Sequence, residues 1–325
     1  MAVRKTESRL PFDLSPEDLG QAVQSADGKV VLVSFLSSPI VVNRLQQYVV
    51  FVTDTTLAGQ VSSYEWEFQN GDDTVNQQSS FGEISYTPPS AADLRVTVRV
   101  LDDSAAIKGT VVLNQAVVQT NEALEGMIQD AANAPGPGIG NIDVARELVN
   151  DHNIYYQNVA LQNPENGNGF KRFVFSMACE GIASQSPDER KNHAEALAES
   201  INGDTEDFVR QSMGGKGVCA IRMVVLAMIV ENGLAWTELP ENGSQRAAAE
   251  QELRENIAQL EENVKIDLFN LLRFPKSNIV QCGRILEALR DRYFNGTNFT
   301  DVLEGMSGTR AFWINKHYKE GPVVH

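Results

Sequence analysis

Two glutamates each follow an apolar run, where a carboxyl group can act as a proton donor. Glu231 directly follows the apolar run 223–230, and Glu180 directly follows the apolar segment 173–179. Apolar surroundings disfavour a charged carboxylate and so raise its pKa. A carboxyl group that stays protonated near neutral pH can act as a general acid, and a second carboxylate can complete an acid–base pair. Glu231 and Glu180 are therefore candidate catalytic residues. The alternative is that each is a solvated acid at a helix end.

A second candidate site lies near the C-terminus, in the segment SGTRAFWINKHYKEG at 307–321. Trp313, Tyr318 and Arg310 place aromatic rings beside a cation, a combination found in sugar and peptide sites. The segment is also the densest patch of basic charge in the chain, so we expect it to suit an acidic partner. The alternative is a final helix that docks its aromatic rings into the core.

Metal and cofactor chemistry is not expected. No two of the four histidines are three or four residues apart, so a helical metal pair is missing. The glycine-rich segment 212–222 lacks the GxxxxGK[ST] pattern of a phosphate loop. Two acidic turns, at Asp72–Asp73 and Asp102–Asp103, have oxygen ligands suitable for Ca²⁺. Turn acids without a metal are the simpler interpretation.

The bulk composition excludes several classes of protein. The chain has 325 residues, which predicts two domains, and its net charge is −16. Nucleic-acid binding needs clustered Lys and Arg, so neither DNA nor RNA is an expected partner. The longest apolar run has far fewer than the roughly 20 residues of a membrane span. The N-terminal segment does not resemble a secretory signal, which predicts cytoplasmic synthesis and leaves open incorporation into a virion or a secreted particle.

Residues 1–28 are predicted to be irregular apart from a short helix over 16–24, and residues 29–120 show a β pattern. Apolar and polar residues alternate in YEWEFQNGDD at 64–73 and in LRVTVRVLDD at 94–103. Alternation places one set of side chains on a buried face, which predicts that Trp66 is a core residue. Six or seven short strands separated by turn residues predict an antiparallel sandwich.

These residues resemble the polycystic-kidney-disease (PKD) type of immunoglobulin-like domain, which typically has Trp-x-Phe-Gly-Asp, a later Tyr and a Val-Thr-Val strand ending in Asp. The matching positions are Trp66, Phe68, Gly71, Asp72, Tyr86, Val96, Thr97, Val98 and Asp102. The resemblance covers about residues 30–118 and implies a β-sandwich used for spacing or adhesion. Gln69 and Asn70 are inserted before Gly71, which predicts a longer turn.

The pattern changes to helical beyond residue 120. Residues 121–140 are predicted to form a short helix and a Pro/Gly-rich linker that includes APGPGIG, and residues 141–325 an all-α domain. Ser186 is a predicted N-cap, with Glu189 completing a capping box. Long helices are predicted over the apolar segment 218–233, over 247–272 and over 277–294, and shorter ones over 298–306 and 309–318.

The sequence leads to two hypotheses about function. The first is a non-enzymatic structural, adaptor or cargo protein of a multi-protein assembly, such as a phage tail or a contractile injection system. The second is a peptidoglycan glycan-strand hydrolase. It rests on the segment from Ala227 to Gly233, which is similar to the A-x-x-x-x-E-S-G segment of lysozyme-like lytic transglycosylases. That resemblance implies that Glu231 is the general acid, although Asn232 replaces the usual serine.

Overall fold

A computed structural model describes most of the two predicted domains. The described residues are 10, 14–119, 167–230, 233–240, 243–294, 298–299 and 318–319. Within them the chain has β-sheets in its N-terminal part and is mainly helical in its C-terminal part, as the change of period predicts. It falls into two compact units. The first takes in the described residues up to 119 together with 274–276, and the second takes in the rest.

Two four-stranded antiparallel sheets make up the β unit. The first has the order β1-β2-β4-β7, with strands Gln21–Gln24, Val30–Ser34, Gln46–Val52 and Glu83–Tyr86. The second has the order β6-β5-β8-β9, with strands Asp73–Ser79, Val61–Asn70, Leu94–Asp102 and Ile107–Gln115. A short parallel pair, β3 (Ile40–Val41) with β10 (Val117–Val118), and the single turn of helix α1 (Thr55–Ala58) complete the unit.

The inner faces of both sheets contribute to one hydrophobic cluster, and its centre is aromatic. Trp66 is 1% exposed, and its indole N–H donates to the Ser79 hydroxyl at 2.8 Å. Phe68 stacks against Tyr86, with ring centroids 4.3 Å apart. Alternating residues of β8, from Leu94 to Val100, are fully buried in the same cluster. The prediction that Trp66 is a core residue is therefore confirmed.

Two local predictions for the β unit are wrong. Gln69 and Asn70 continue strand β5 and pair with Thr74 and Asp73, so the insertion lengthens the hairpin rather than its turn. The Asn70 side chain stabilises this extension by donating to the Ala92 carbonyl at 2.6 Å. A helix from 16 to 24 was also expected, but only a 3₁₀ turn forms before β1. A Cβ at Gly20 would lie 2.0 Å from the Ser34 carbonyl oxygen, so this glycine lets β1 approach β2 closely.

Seven helices can be followed in the described part of the second unit. They are α2 (Gly167–Ser184), α3 (Pro187–Ile201), α4 (Thr205–Ser212), α5 (Met223–Ala227), α6 (Gly243–Ala258), α7 (Glu262–Arg273) and α8 (Pro275–Phe294). The capping box at the start of α3 is confirmed: Ser186 N–H donates to the Glu189 carboxylate at 2.7 Å, and Glu189 N–H donates to the Ser186 hydroxyl at 3.3 Å. None of these helices combines the length and apolarity of a membrane span.

The predicted long helix over 218–233 is wrong, and the unit is not all-α. Two short strands, β11 (Gly215–Lys216) and β12 (Ile221–Arg222), pair as a hairpin, and α5 takes up only five residues of the apolar run. Gly217 has φ +72°, which side-chain-bearing residues rarely adopt. A Cβ there would lie 2.4 Å from the Leu272 carbonyl oxygen. Tertiary contacts at the turn therefore decide the local structure.

The predicted long helix over 247–272 is interrupted. Helix α6 ends at Ala258 and α7 begins at Glu262. The Lys265 ammonium donates to the Ala258 carbonyl at 2.8 Å, which satisfies one of the acceptors left at the end of α6. Leu253 and Ile257 remain buried, as do Leu268 and Leu271, so the apolar stripe is correct although the helix is split. The predicted short helix and linker over 121–140 lie outside the described residues. Of the helices predicted after position 297, only residues 298, 299 and 318 are described.

Candidate functional site

The residues predicted from sequence are only partly described. Glu231, Arg310 and Trp313 lie outside the described residues. Glu180 and Tyr318 are described, and both take part in one polar cluster inside the helical unit. The cluster surrounds the β11–β12 hairpin and has further members on α2 and α8. Sequence reasoning missed most of them.

Glu180 lies one turn before the end of α2. Its Oε1 atom forms an ion pair with the Lys319 ammonium. Its Oε2 atom is buried and has no hydrogen-bond partner within the described ranges. The side chain is 30% exposed, so it is neither an acid in bulk water nor a fully enclosed one. Its chemistry is therefore that of a carboxylate held beside a cation.

Tyr318 is buried, with 3% of its surface exposed. Its hydroxyl group donates a hydrogen bond to the Cys219 main-chain carbonyl at 2.9 Å. Burial raises the pKa of the Tyr318 phenol well above its ordinary value, and the neighbouring Cys282 and Cys219 side chains add to the shift. Tyr318 is therefore a neutral hydrogen-bond donor in the interior, and its ring is not an open surface for a ligand.

Asn278, on α8, holds the turn of the β11–β12 hairpin. Its Oδ1 atom accepts a hydrogen bond from Cys219 N–H at 2.8 Å, and its Nδ2 atom donates to the carbonyl groups of Lys216 and Leu272 at 3.2 and 2.9 Å. Asn278 and Tyr318 thus engage both main-chain groups of Cys219. The Cys219 side chain is 1% exposed, the environment of a packed thiol rather than an accessible nucleophile.

The hairpin turn is strained as well as tightly held. Ala220 has φ +50°, in a region that residues with a Cβ occupy at a cost of order 1–3 kcal/mol. The hydrogen bonds to Asn278 and Tyr318 lie beside this residue and help to fix it. Strain of this kind clusters at functional sites, so the hairpin is a candidate functional segment. No sequence pattern pointed to Ala220.

Lys216 is the most unusual ionisable group of the cluster. It is 5% exposed, and burial lowers its pKa to about 8. Removing an ammonium group from water disfavours the charged form. At pH 7 the side chain still carries its proton, although it binds it less tightly than an exposed lysine does. Lysines with a lowered pKa serve as bases or nucleophiles in enzymes, but burial in a structural role produces the same shift.

A cleft of about 480 Å³ opens next to the hairpin. Its apolar wall consists of buried side chains from α5, α6 and the loop between them: Val224, Val225, Met228, Leu239 and Leu253. Three cations, Arg222, Arg246 and Lys319, line it together with one carboxylate, Glu250. Arg222 donates to the main-chain carbonyls of Met213 and Lys319 at 2.6 and 3.1 Å. Among the described residues of this lining, cations outnumber carboxylates.

The acidic turn at Asp102 has a structural role. Its carboxylate accepts hydrogen bonds from Ser104 N–H and Ala106 N–H, each at 2.9 Å, and pairs with the Lys108 ammonium at 2.8 Å. The interaction with Lys108, together with the hydrogen bonds from Ser104 and Ala106, lowers the pKa of Asp102 well below its ordinary value. In the part of the chain that the structure describes, no three His, Cys, Asp or Glu side chains are grouped as a metal site.

Comparison with known proteins adds little. No protein-family model matches the chain. No curated protein matches it either. Among solved structures, the crystal structure of beta-1,2-glucanase from Parabacteroides distasonis is similar with a TM-score of 0.23 and 10% sequence identity. The match covers 70% of this chain and 33% of that chain, and similarity at this level supports no conclusion about fold or activity.

Proposed function

We propose that the protein is a non-enzymatic structural, adaptor or cargo component of a multi-protein assembly, such as a phage tail or a contractile injection system. In this proposal the β unit is a PKD-type immunoglobulin-like sandwich that serves as the interaction module. The observation that carries the proposal is the exposed edge strand β6. The assembly can be a virion or a secreted particle, put together from chains made in the cytoplasm.

Two features support the assignment to the PKD type. The two sheets have four strands each and share one hydrophobic cluster. The aromatic residues on which the sequence resemblance rests, Trp66, Phe68 and Tyr86, lie together at the centre of that cluster. Two packed antiparallel sheets with an aromatic core are typical of immunoglobulin-like domains. Domains of this kind act mostly as spacers and adhesive modules.

Strand β6 lies at the end of its sheet, and its outer edge has no strand partner in the described part of the chain. Its seven residues, DTVNQQS, are exposed or half-buried, and Val75 is 39% exposed. The strand contains neither lysine nor proline, the residues that commonly protect sheet edges from pairing. An edge of this kind accepts an added strand from another chain, with main-chain hydrogen bonds supplying affinity.

The β5–β6 hairpin shows which residues would form the new hydrogen bonds. Asn70 pairs with Asp73 across the two-residue turn at Gly71 and Asp72. Residues that flank such a turn bond to each other, and bonding alternates along an antiparallel pair. The main-chain groups of Thr74, Asn76 and Gln78 therefore point away from β5. Proline at an edge position whose N–H points outward leaves the sheet's own ladder intact.

The test replaces Asn76 with proline in the natural host, with a tagged full-length chain in place of the native one. We expect wild-type protein to elute from lysate in a complex well ahead of its monomer, and Asn76→Pro to shift to the monomer position. Asn76→Lys should act in the same way because it charges the edge. Gln69→Lys is the control, since Gln69 is exposed on the adjacent strand but away from the edge. A wild-type chain that elutes only as a monomer would contradict the proposal.

A further inference from the structure

We propose that edge strand β6 pairs with β6 of a second copy of the same chain, so that two β units share one continuous sheet. This inference rests on the proposed function, because it names the chain that is added at that edge. The two strands run antiparallel about a two-fold axis at Asn76, the middle residue of β6. Two-fold dimers are the commonest oligomers, and each copy contributes the same surface to the interface.

Strand β6 is accessible on both of its faces as well as at its edge. Val75 and Gln77 lie on the same face as Trp66, which is the face that carries the hydrophobic cluster. Both side chains are nevertheless exposed, and so is Asn76 on the opposite face. Within the described residues, the strand therefore projects beyond the sheet that packs against its own, and its outer edge has no strand partner.

The outward main-chain groups of β6 fit those of a second copy. Thr74, Asn76 and Gln78 direct their N–H and C=O groups away from β5. When Asn76 lies opposite Asn76 of the second copy, Thr74 lies opposite Gln78, and all three outward residues form hydrogen-bonded pairs. Each pair exchanges two main-chain hydrogen bonds, which gives about six in total. A shift of the register by two residues keeps only two of the three pairs, so the pairing centred on Asn76 is the most favourable.

The side chains of β6 suit the same register. Asp73 is the only charged residue of the strand, and it would lie opposite Ser79, so like charges do not face each other. The Asn76 amide has both a donor and an acceptor, so two of these amides facing each other can form a hydrogen bond. Thr74 and Gln78, which face each other twice, are complementary in the same way. This self-complementarity favours a second copy over a chain of unrelated sequence.

The test is sedimentation velocity of the purified full-length protein over a range of concentrations. A strand edge of seven residues is a small interface, so we expect a reversible dimer with a Kd of about 1–100 µM. Asn76→Pro removes the outward N–H at the two-fold axis and should weaken the dimer at least about tenfold. Gln69→Lys is the control and should dimerise like wild type, because Gln69 lies on the adjacent strand.

Two charged substitutions make the test specific for a second copy. Asn76→Lys and Asn76→Asp should each be monomeric alone, because the introduced charge would face the same charge across the two-fold axis. An equimolar mixture of the two variants should form a dimer at least about tenfold tighter than either variant does alone, since opposite charges then face each other. Gln69→Lys mixed with Gln69→Glu is the matched control, and this mixture should dimerise no better than its components.

Three results would overturn the inference: wild type that stays monomeric up to about 200 µM, Asn76→Pro that dimerises like wild type, or a mixture of Asn76→Lys and Asn76→Asp that is no more dimeric than either alone. Circular dichroism and a thermal melt of each variant distinguish lost pairing from lost folding. The outcome is separate from the test in the natural host. A purified chain that stays monomeric while its host complex depends on Asn76 rejects only the second copy as the partner. A chain that elutes from lysate as a dimer without other proteins rejects only the multi-protein assembly.

Discussion

Replacing Lys216 with methionine should stabilise the helical unit at neutral pH and do so much less at high pH. Lys216 is 5% exposed, and its pKa is lowered to about 8 by burial. Methionine has a similar length and no charge. The main-chain carbonyl of residue 216, which accepts a hydrogen bond from Asn278, is not changed by the substitution.

The size of the effect follows from the pKa values of the two states. The folded value is about 8 against an ordinary value of 10.5, a difference of about 2.5, and each unit corresponds to about 1.36 kcal/mol. The charged side chain therefore costs the folded state about 3 kcal/mol. Between pH 8 and 10.5 the unfolded chain binds more protons than the folded one, so wild-type stability rises with pH. The cost is fully present below pH 8 and is lost above 10.5.

The assay is urea unfolding followed by circular dichroism, for wild type and Lys216→Met, at pH 7 and at about pH 10.5. We expect the free energy of unfolding to differ between the two proteins by about 3 kcal/mol more at pH 7 than at the higher pH. The additional apolar burial gained with methionine stabilises the folded state equally at both pH values, so it cancels when the two pH values are compared. Lys191→Met is the control, because Lys191 is partly exposed on α3 and should change stability by less than about 0.5 kcal/mol. If the difference in unfolding free energy between wild type and Lys216→Met were the same at both pH values, the desolvation argument would be refuted.

Three further predictions concern the two units separately. Trp66→Ala should lower the free energy of unfolding of the β unit by about 3–5 kcal/mol in urea denaturation, because it removes a buried aromatic ring; an unchanged midpoint would show that the ring is not packed. Gly217→Ala should destabilise its unit far more than Gly28→Ala, as thermal melts can show, since both glycines have φ +72° but only at Gly217 would a Cβ meet other atoms. Glu231→Gln tests the hydrolase hypothesis: we expect neither wild type nor variant to clear a peptidoglycan suspension, and clearing by wild type that a folded variant loses would overturn the proposed function.

The β unit could be predicted well because its signals are local. In β5 and β8 alternate residues face the core, so the sequence period of two reports burial directly. The capping box at Ser186 is equally local, since both of its hydrogen bonds join residues three apart. The turn at Gly71 was harder, because strand length depends on the Asn70 side chain reaching the Ala92 carbonyl, 22 residues away.

The candidate site could not be predicted, because its members come from distant parts of the sequence. Glu180 pairs with Lys319 across 139 positions, and Tyr318 bonds to Cys219 across 99. Arg222, on β12, and Arg246, on α6, line the same cleft although they are 24 positions apart in the sequence. A single sequence contains no signal for such pairings. Glu180 was singled out for its place after an apolar run, which does not reveal that a lysine neutralises it.

The apolar run at 218–230 shows how a correct burial signal led to a wrong structure and hid the site. Between Val218 and Met228 its side chains are buried as predicted, except those of Ala220 and Arg222, which are half-buried. A helix was inferred because apolar residues on all sides fit a central helix, but the same pattern fits any fully enclosed segment. The Asn278 side chain holds Cys219 N–H in a turn, and this stops a helix from starting there. The hairpin that results places Lys216 in the interior and Arg222 at the cleft, so the failed prediction and the unexpected polar cluster have the same physical cause.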